Sequence, residues 1–509
     1  MILSSLISMP RAEMPLIETF KTIKDPIHGY ISLTRTEYAA IQLPVMMRLH
    51  RLKMMAAGYL VYPGALATRF IHCVGAMHVA SKMCYQLLGS MSSNDFVNQF
   101  GGRSTHDKLR LIQTVRLAAL FHDLGHGPFS HAAEDQMVSS LAKVSSQDFE
   151  EALKLYGVKD PAKLPVHEYY SYKQVTTGEV KETIESMYSG ISQDVGDLLV
   201  KNPSRKERNR STTDSGLTIL RSMISSHLDA DRFDYLLRDS FMTGASFGSV
   251  DIDRLIMNLN VQFVNHLPKV TVHERAIGSI EDILDARFKM YKWVYNHHMV
   301  VAVNELVKRA ISTLVEEEVD DSFFYWKNFP SGKQTDDYIM SKIIDQVEIA
   351  KGVSPFAGLI DRRYLPVSLL KRPTDTNEFV LEIAKKMKVA ISPTILESLG
   401  TKIQSWFKNK GQIGGQTIGG SPNVVLLAVN SPRSPYSPIK EDEMIWLYSE
   451  NQKLSRELSG QSPYFNAINK EWTQFPSIFF SYIIPGEKKS ESVSMKREVR
   501  QSIIKEIIH

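Results

Sequence analysis

Cysteine is nearly absent, with only Cys73 and Cys84 in 509 residues. Two cysteines build no disulfide framework, and a reducing cytoplasm is the compartment expected. No uninterrupted apolar run is long enough to cross a bilayer, so no membrane partner is expected. Met1–Met9 is mildly apolar but lacks a basic start and a full apolar core, and is not read as a signal peptide. An excess of one charge is missing too. The chain carries 60 Lys and Arg against 56 Asp and Glu, a net +4, which argues against a nucleic-acid coat. With 43% hydrophobic and 23% charged residues, it has the composition of an ordinary globular protein, large enough for one main domain and an appended one. No internal repeat is evident.

Against that plain background one stretch stands out. Leu117-Ala118-Ala119-Leu120-Phe121 is an apolar helical run, and the ten residues from His122 to His131 that follow hold three histidines and an aspartate. Metal-binding side chains on a buried helix carry a desolvation cost and need a compensating role. Read as helix, His122 and Asp123 point roughly 100° apart, and His126 faces the same way as His122. A metal between the first two directions takes both if another helix supplies more ligands. Gly125, Gly127 and Pro128 then end the helix and let the backbone approach a ligand.

A divalent metal on two imidazoles and carboxylate oxygens wants four or more protein ligands, with positions left for water and substrate. Two other runs supply candidates. Thr68–Gly75 opens a helical pattern reaching to about Leu88, with His72 one turn beyond Arg69, so a ligand and a phosphate-binding cation share a face. In Ser226–Asp239, the residues Asp231, Tyr235 and Asp239 recur at four-residue spacing as one stripe. Taken singly, His72 also reads as a satisfied core histidine and Asp231 as a helix-surface charge. Beside the central block the metal reading is preferred. Arg287, Tyr291 and Tyr295 form a further four-residue stripe on Leu284–Val300, which on composition alone is an ordinary amphipathic helix face.

The order His72, His122-Asp123, Asp231 resembles the H…HD…D signature of the HD phosphohydrolase superfamily. The flanking text is similar to the branch containing the deoxynucleoside triphosphate triphosphohydrolases, among them the SAM-and-HD-domain enzymes. It comprises Lys24-Asp25-Pro26-Ile27-His28-Gly29, Arg48-Leu49, Tyr62-Pro63-Gly64-Ala65, His122 through His131, and Asp231-Arg232-Phe233-Asp234-Tyr235. The similarity runs from about Phe20 to about Ala310 and thins beyond, and no separate N-terminal SAM domain is expected. The resemblance implies a metal held by His72, His122, Asp123 and Asp231. It implies that His126 and His131 handle the attacking water or the departing oxygen, with His167 orienting them. Arg69, Arg232 and Arg287 fall where the family places cations on the triphosphate, Tyr235 and Asp239 where it contacts the sugar and its 3′-hydroxyl. Tyr295 falls where a ring packs on the deoxyribose, and Tyr291 joins it on the substrate side. The implied reaction is water attack at the α-phosphorus, giving deoxynucleoside and inorganic triphosphate, in a homodimer or tetramer. Two His and two Asp suit Mn, Mg, Fe, Ni or Co.

The chain departs from the family pattern at three places. Met54-Met55 stands where related enzymes carry a glutamine-leucine pair against sugar and base, Glu134 replaces an aspartate, and Gln42, Met47 and His50 occupy the guanine-nucleotide activator pocket. Activation through that pocket is not expected.

The fold expected is mainly α. An HD-domain helical core with a small hairpin (Val261–Val264 with Val270–Val272) occupies residues 1–318, its core about 20–310. A helical and α/β lobe follows over 319–509, with strands at Val424–Val429 and Phe475–Ile484, loops at Gly411–Ser421 and Ser431–Pro438, and a helix over Ser492–Ile508. The lobe is expected to make oligomer or regulatory contacts. Two rival functions remain at this stage. One is an HD enzyme acting on another nucleotide or phosphate ester, favoured by Met54-Met55. The other is a nucleotide-responsive nucleic-acid-binding protein, supported by the basic run Lys201–Arg210 and a pI near 8.7, though that run reads more readily as a solvated loop.

Overall fold

The computed structural model describes residues 14–102, 104–200, 213–264, 267–317, 320–350 and 354–370, with shorter stretches between 378 and 494. The basic run at 201–210, the 431–438 turn and most of 492–508 lie outside the described residues. The architecture is mainly α, with small sheets at its edges.

Strands β1 (Lys21–Asp25) and β2 (Gly29–Leu33) open the chain as an antiparallel hairpin with Ile23 opposite Ile31. Helix α1 (Arg69–Ser90) follows, buried on nearly every face from Phe70 to Leu88. A helix buried on most faces belongs in the middle of a core, and the buried polar residues of its first turn, Arg69 and His72, face an interior site. Helix α2 (Thr105–Phe121) starts with a capping box in which Ser104 and Asp107 satisfy each other's backbone N–H groups. Its last ten residues, Ile112–Phe121, are all buried, so the chain arrives at His122 from inside the core.

Helices α3 (Glu134–Val144), α4 (Val166–Thr176) and α5 (Ala230–Thr243) close the walls of the site. The Asp229 carboxylate caps α5 by accepting the Arg232 N–H at 2.7 Å. Next come the hairpin β3 (Leu259–Val264) and β4 (Leu267–His273), where the alternating apolar pattern predicts it. Helix α6 (Ile277–Met290) runs into a π-helical turn, Tyr291–Tyr295, before α7 (His298–Glu317) resumes. Helix α8 (Asp336–Ile349) is capped by Thr335.

Beyond α8 lie β5 (Val367–Leu370), β6 (Val425–Val429), β7 (Trp446–Ser449), β8 (Leu454–Glu457), α9 (Pro463–Gln474) and β9 (Phe479–Ile483). Strands β5, β9 and β6 form an antiparallel sheet in that order, and β7 joins the β3–β4 hairpin by pairing parallel to β4, Thr271 opposite Trp446. The 411–421 stretch, expected as a loop, contributes a two-residue pair, Gln412–Ile413 with Gln416–Thr417. Residues on both sides of 318 share one apolar core, from Ile31 through Leu314 to Phe329, Ile339 and Phe465. Among the described residues no helix is long and apolar enough to cross a membrane.

Two helical expectations are corrected. Helix α2 ends at Phe121, and residues 122–125 form a turn, so His126 is not one helical turn beyond His122. The cause is α4: Ser171 Oγ donates to the His122 carbonyl and accepts the Gly125 N–H, both at 2.8 Å. At Gly125 a Cβ would stand 2.2 Å from the His167 carbonyl oxygen, an approach only glycine permits. Leu284–Val300 is likewise not one helix, because the π turn intervenes and α7 starts afresh at His298.

Candidate metal centre and active-site cavity

His72 from α1, His122 and Asp123 from the turn after α2, and Asp231 from α5 converge on one point. His72 Nε2 lies 3.2 Å from His122 Nε2 and 3.1 Å from Asp231 Oδ1, and His122 Nε2 is 3.6 Å from that same oxygen. Asp123 reaches His122 Nε2 at 3.4 Å and His72 Nε2 at 3.7 Å. Both imidazoles are oriented from behind. His72 Nδ1 bonds Asp234 at 2.7 Å and His122 Nδ1 bonds the Ala119 carbonyl at 2.8 Å. Those partners accept, so each Nδ1 carries a hydrogen, and in the neutral form that binds a metal each Nε2 presents a lone pair.

Two lone pairs facing each other repel unless a cation lies between them. Donors about 2.1 Å from an ion and at right angles stand roughly 3.0 Å apart, close to the spacing here. The residues therefore fit a divalent metal. Burial pulls His72 towards its neutral form, but hydrogen bonds to Asp231 and Asp234 outweigh it and lift the imidazole to about 10. Burial likewise opposes charge on Asp231, yet hydrogen bonds from His122 and His72 hold its carboxyl well below the usual range. A metal replaces the proton that such a site otherwise keeps.

Asp234 is the residue that sequence reasoning left without a role. It is fully buried and accepts from His72, from His28 Nε2 at 2.7 Å and from two nitrogens of Arg238 at 2.8 and 2.7 Å. Arg238 also reaches Asp25 at 2.9 Å, and the other Asp25 oxygen accepts the N–H groups of Ile27 and His28. The Lys24–Gly29 motif thus serves the metal site through Asp234.

A second cluster adjoins the first. Glu134 Oε1 accepts from His131 Nδ1 at 2.9 Å and from His167 Nδ1 at 2.6 Å. The His126 and His167 rings stack at 4.1 Å, and His126 Nε2 faces Asp123 at 3.3 Å. Burial works against charge on His167, but the bond to Glu134 raises it. Burial and the nearby Arg69 push His126 well down. Glu134, standing where the family pattern has an aspartate, spans both histidines.

The clusters open onto a cavity of about 610 Å³ lined by every other residue expected at the substrate, Arg69, Arg232, Tyr235, Asp239, Arg287, Tyr291 and Tyr295, and by Met54 and Met55. Arg69 pairs with Asp123 and Arg232 with Asp229. Tyr295 donates to Asp239 at 2.8 Å, and burial raises the Asp239 carboxyl to about 6. The π turn keeps Tyr291 and Tyr295 on the wall, their rings 5.2 Å apart, with Arg287 over Tyr291 at 5.4 Å. Asn304, Glu305 and Lys308 from α7 also line the cavity. Nothing in the sequence pattern set them apart from an amphipathic helix.

The pattern defining the HD domain matches residues 69–187, and that of the HD associated region matches 250–388. An uncharacterized protein of Methanocaldococcus jannaschii is 28% identical over 298 residues, 58% of this chain and 51% of that protein. The deoxynucleoside triphosphate triphosphohydrolase SAMHD1 of Homo sapiens is 26% identical over 303 residues, 58% of this chain and 44% of that protein. The chain spans about half the length of the curated relatives it matches. Among solved structures, a hypothetical protein from Aquifex aeolicus superposes with a TM-score of 0.64 at 20% identity, over 95% of this chain and 99% of the other. A phosphohydrolase from Bacteroides thetaiotaomicron gives 0.58 at 22% identity, over 92% and 100%. With the H…HD…D residues gathered at one point and the HD pattern matched over residues 69–187, this part of the chain is an HD domain, and the chain is similar to SAMHD1 over 303 residues.

Proposed function

We propose that this protein hydrolyses deoxynucleoside triphosphates to deoxynucleoside and inorganic triphosphate. One observation carries the reading: Asp123 and Asp231 of the metal-fitting His/Asp site, the imidazoles of His126, His131 and His167, and three arginines all line one cavity of nucleotide size. A triphosphate brings about four negative charges, and guanidinium groups stay ionised and fork onto phosphate oxygens. Arg69, Arg232 and Arg287 supply that clamp. Tyr295 and Tyr235 offer ring faces to the sugar, and the Asp239 carboxylate accepts from the 3′-hydroxyl.

When bound, a divalent metal lowers the pKa of its water and polarises the α-phosphoryl oxygen. With Nδ1 engaged by Glu134, His131 presents Nε2 to the cavity and passes a proton to O5′ as the P–O5′ bond breaks. His167 shares the same Glu134 oxygen and fixes its direction. His126, held neutral, stacks on His167 and contacts Asp123. A homo-oligomer and a cytoplasmic location belong to the same reading.

The test is product analysis of the purified protein with Mn or Mg against the four dNTPs, the NTPs and representative NMPs. Deoxynucleoside with triphosphate is the expected product pair. Loss of single phosphates, or turnover of NMPs alone, would overturn the reading.

A pH dependence follows from Asp239. Its raised carboxyl is neutral below about 6 and then accepts the 3′-hydroxyl poorly, so kcat/KM should fall as pH drops through that value. A hydrogen bond to a charged group contributes roughly 1.5–3 kcal/mol. Asp239→Asn should therefore cost about ten- to a hundredfold in kcat/KM at pH 8 and remove that acidic limb. A limb unchanged in the variant would assign it to another group.

A further inference from the structure

Two non-glycine residues in the left-handed region, Phe129 (φ 53°) and Ser130 (φ 55°), stand directly before His131. Such residues persist only where their surroundings over-determine them. The group that does so here comes from 207 positions away. Asp336, the first residue of α8 and 1% exposed, accepts the Phe129 N–H at 2.6 Å on one oxygen and the Lys53 N–H at 2.8 Å on the other. Lys53 leads into Met54-Met55 on the facing wall. Ser130 Oγ closes the gap, donating to the Lys53 carbonyl at 3.1 Å and accepting from Arg69 Nε at 3.2 Å. Two residues before Asp336, the Gln334 carbonyl accepts from buried Arg48 at 3.0 Å, and the same guanidinium donates to the Leu124 carbonyl at 2.9 Å. Residues 334–336 thereby join the 48–53 wall, the turn carrying the His/Asp pair and the turn carrying His131.

We propose that Asp336 is a positioning residue for the hydrolysis. It does not line the cavity. It holds the Phe129–Ser130 turn so that His131 faces the departing oxygen. The inference rests on the dNTP reading above, because it concerns the proton given to a poor leaving group.

Asp336→Asn decides it. The variant keeps the side chain's size and one acceptor oxygen, and sets an N–H against a backbone N–H. Misplacing an acid by an ångström costs on the order of a hundredfold, so kcat on a dNTP should fall by about that factor, with KM and metal content held within about threefold. p-Nitrophenyl triphosphate, whose leaving group departs without a proton, should lose less than about threefold. Asp336→Ala, lacking both acceptors, should fall further, and where it does not fold the asparagine variant carries the test. Wild-type kcat on dNTPs in Asp336→Asn would overturn the inference, as would an equal loss on both substrates or a loss of metal, which are marks of a merely structural role. A wild type inactive on every dNTP is a separate result, and it would remove the underlying reading and this inference with it.

Discussion

Asp231→Asn should leave a folded protein that has lost its divalent metal and at least about a thousandfold of its turnover. A catalytic metal supplies several kcal/mol of transition-state stabilisation, and each 1.4 kcal/mol is tenfold in rate. Of the two aspartates, Asp231 gives the cleaner measurement. Its side chain is 36% exposed, and its bonds go to the ligand imidazoles of His72 and His122. Asp123 does two jobs, because it also neutralises Arg69, which is 4% exposed. Removing one partner of a buried ion pair costs about 3–5 kcal/mol. The double variant His122→Ala with Asp123→Ala should therefore lose metal and turnover and also melt lower, whereas Asp231→Asn should melt close to the metal-free wild type. Metal stoichiometry by elemental analysis, circular dichroism melts and turnover on the same samples separate the two. Full metal content with wild-type turnover in Asp231→Asn would show that the site lies elsewhere.

The parts of the site legible in the sequence are those that sit close together along it. His122-Asp123 is a dipeptide, the Asp231–Tyr235–Asp239 stripe keeps helical spacing on α5, and Arg69 and His72 share the first turn of α1. Spacing along a helix is a local quantity, and a pattern can hold it. Asp234 shows where this ends. It sits on the same helix as Asp231, where it reads as one more charge in a polar run, and only the arrival of His72, His28 and Arg238 makes it a buried acceptor. Asp336 is harder still: after Thr335 it reads as the start of a helix, and its task is to accept N–H groups from segments more than 200 positions earlier. The helix expected through His126 failed for a related reason. Local propensity extends α2, but Ser171 and the close approach of α4 at Gly125 impose a turn. In the fold, the β3–β4 hairpin was legible because its strands are neighbours, while the parallel pairing of β4 with β7 joins residues far apart in sequence.

Gly75→Ala should destabilise the protein and loosen its hold on metal, although helix propensity alone argues the reverse. Alanine in place of glycine within a helix gains about 1 kcal/mol. Gly75 lies on α1 one turn from His72, and a Cβ there would stand 1.9 Å from Asp234 Oδ1 and 2.4 Å from Arg238 Nη2. Neither atom belongs to a flexible end with room to swing. Asp234 is fully buried and Arg238 is 1% exposed, and each is held by the other, with His28 and His72 on Asp234 and Asp25 on Arg238. Overpacking a core costs about 1–3 kcal/mol, and breaking a buried ion pair costs about 3–5, so the clash exceeds the propensity gain. Loss of the carboxylate behind a metal-binding histidine typically lowers metal affinity about 10- to 100-fold, and displacing Asp234 from His72 Nδ1 should act the same way. The expected variant melts several degrees lower, binds metal at least tenfold more weakly, and regains part of its turnover at high metal concentration. A variant as stable as wild type with unchanged metal affinity would mean that Asp234 does not govern the orientation of His72.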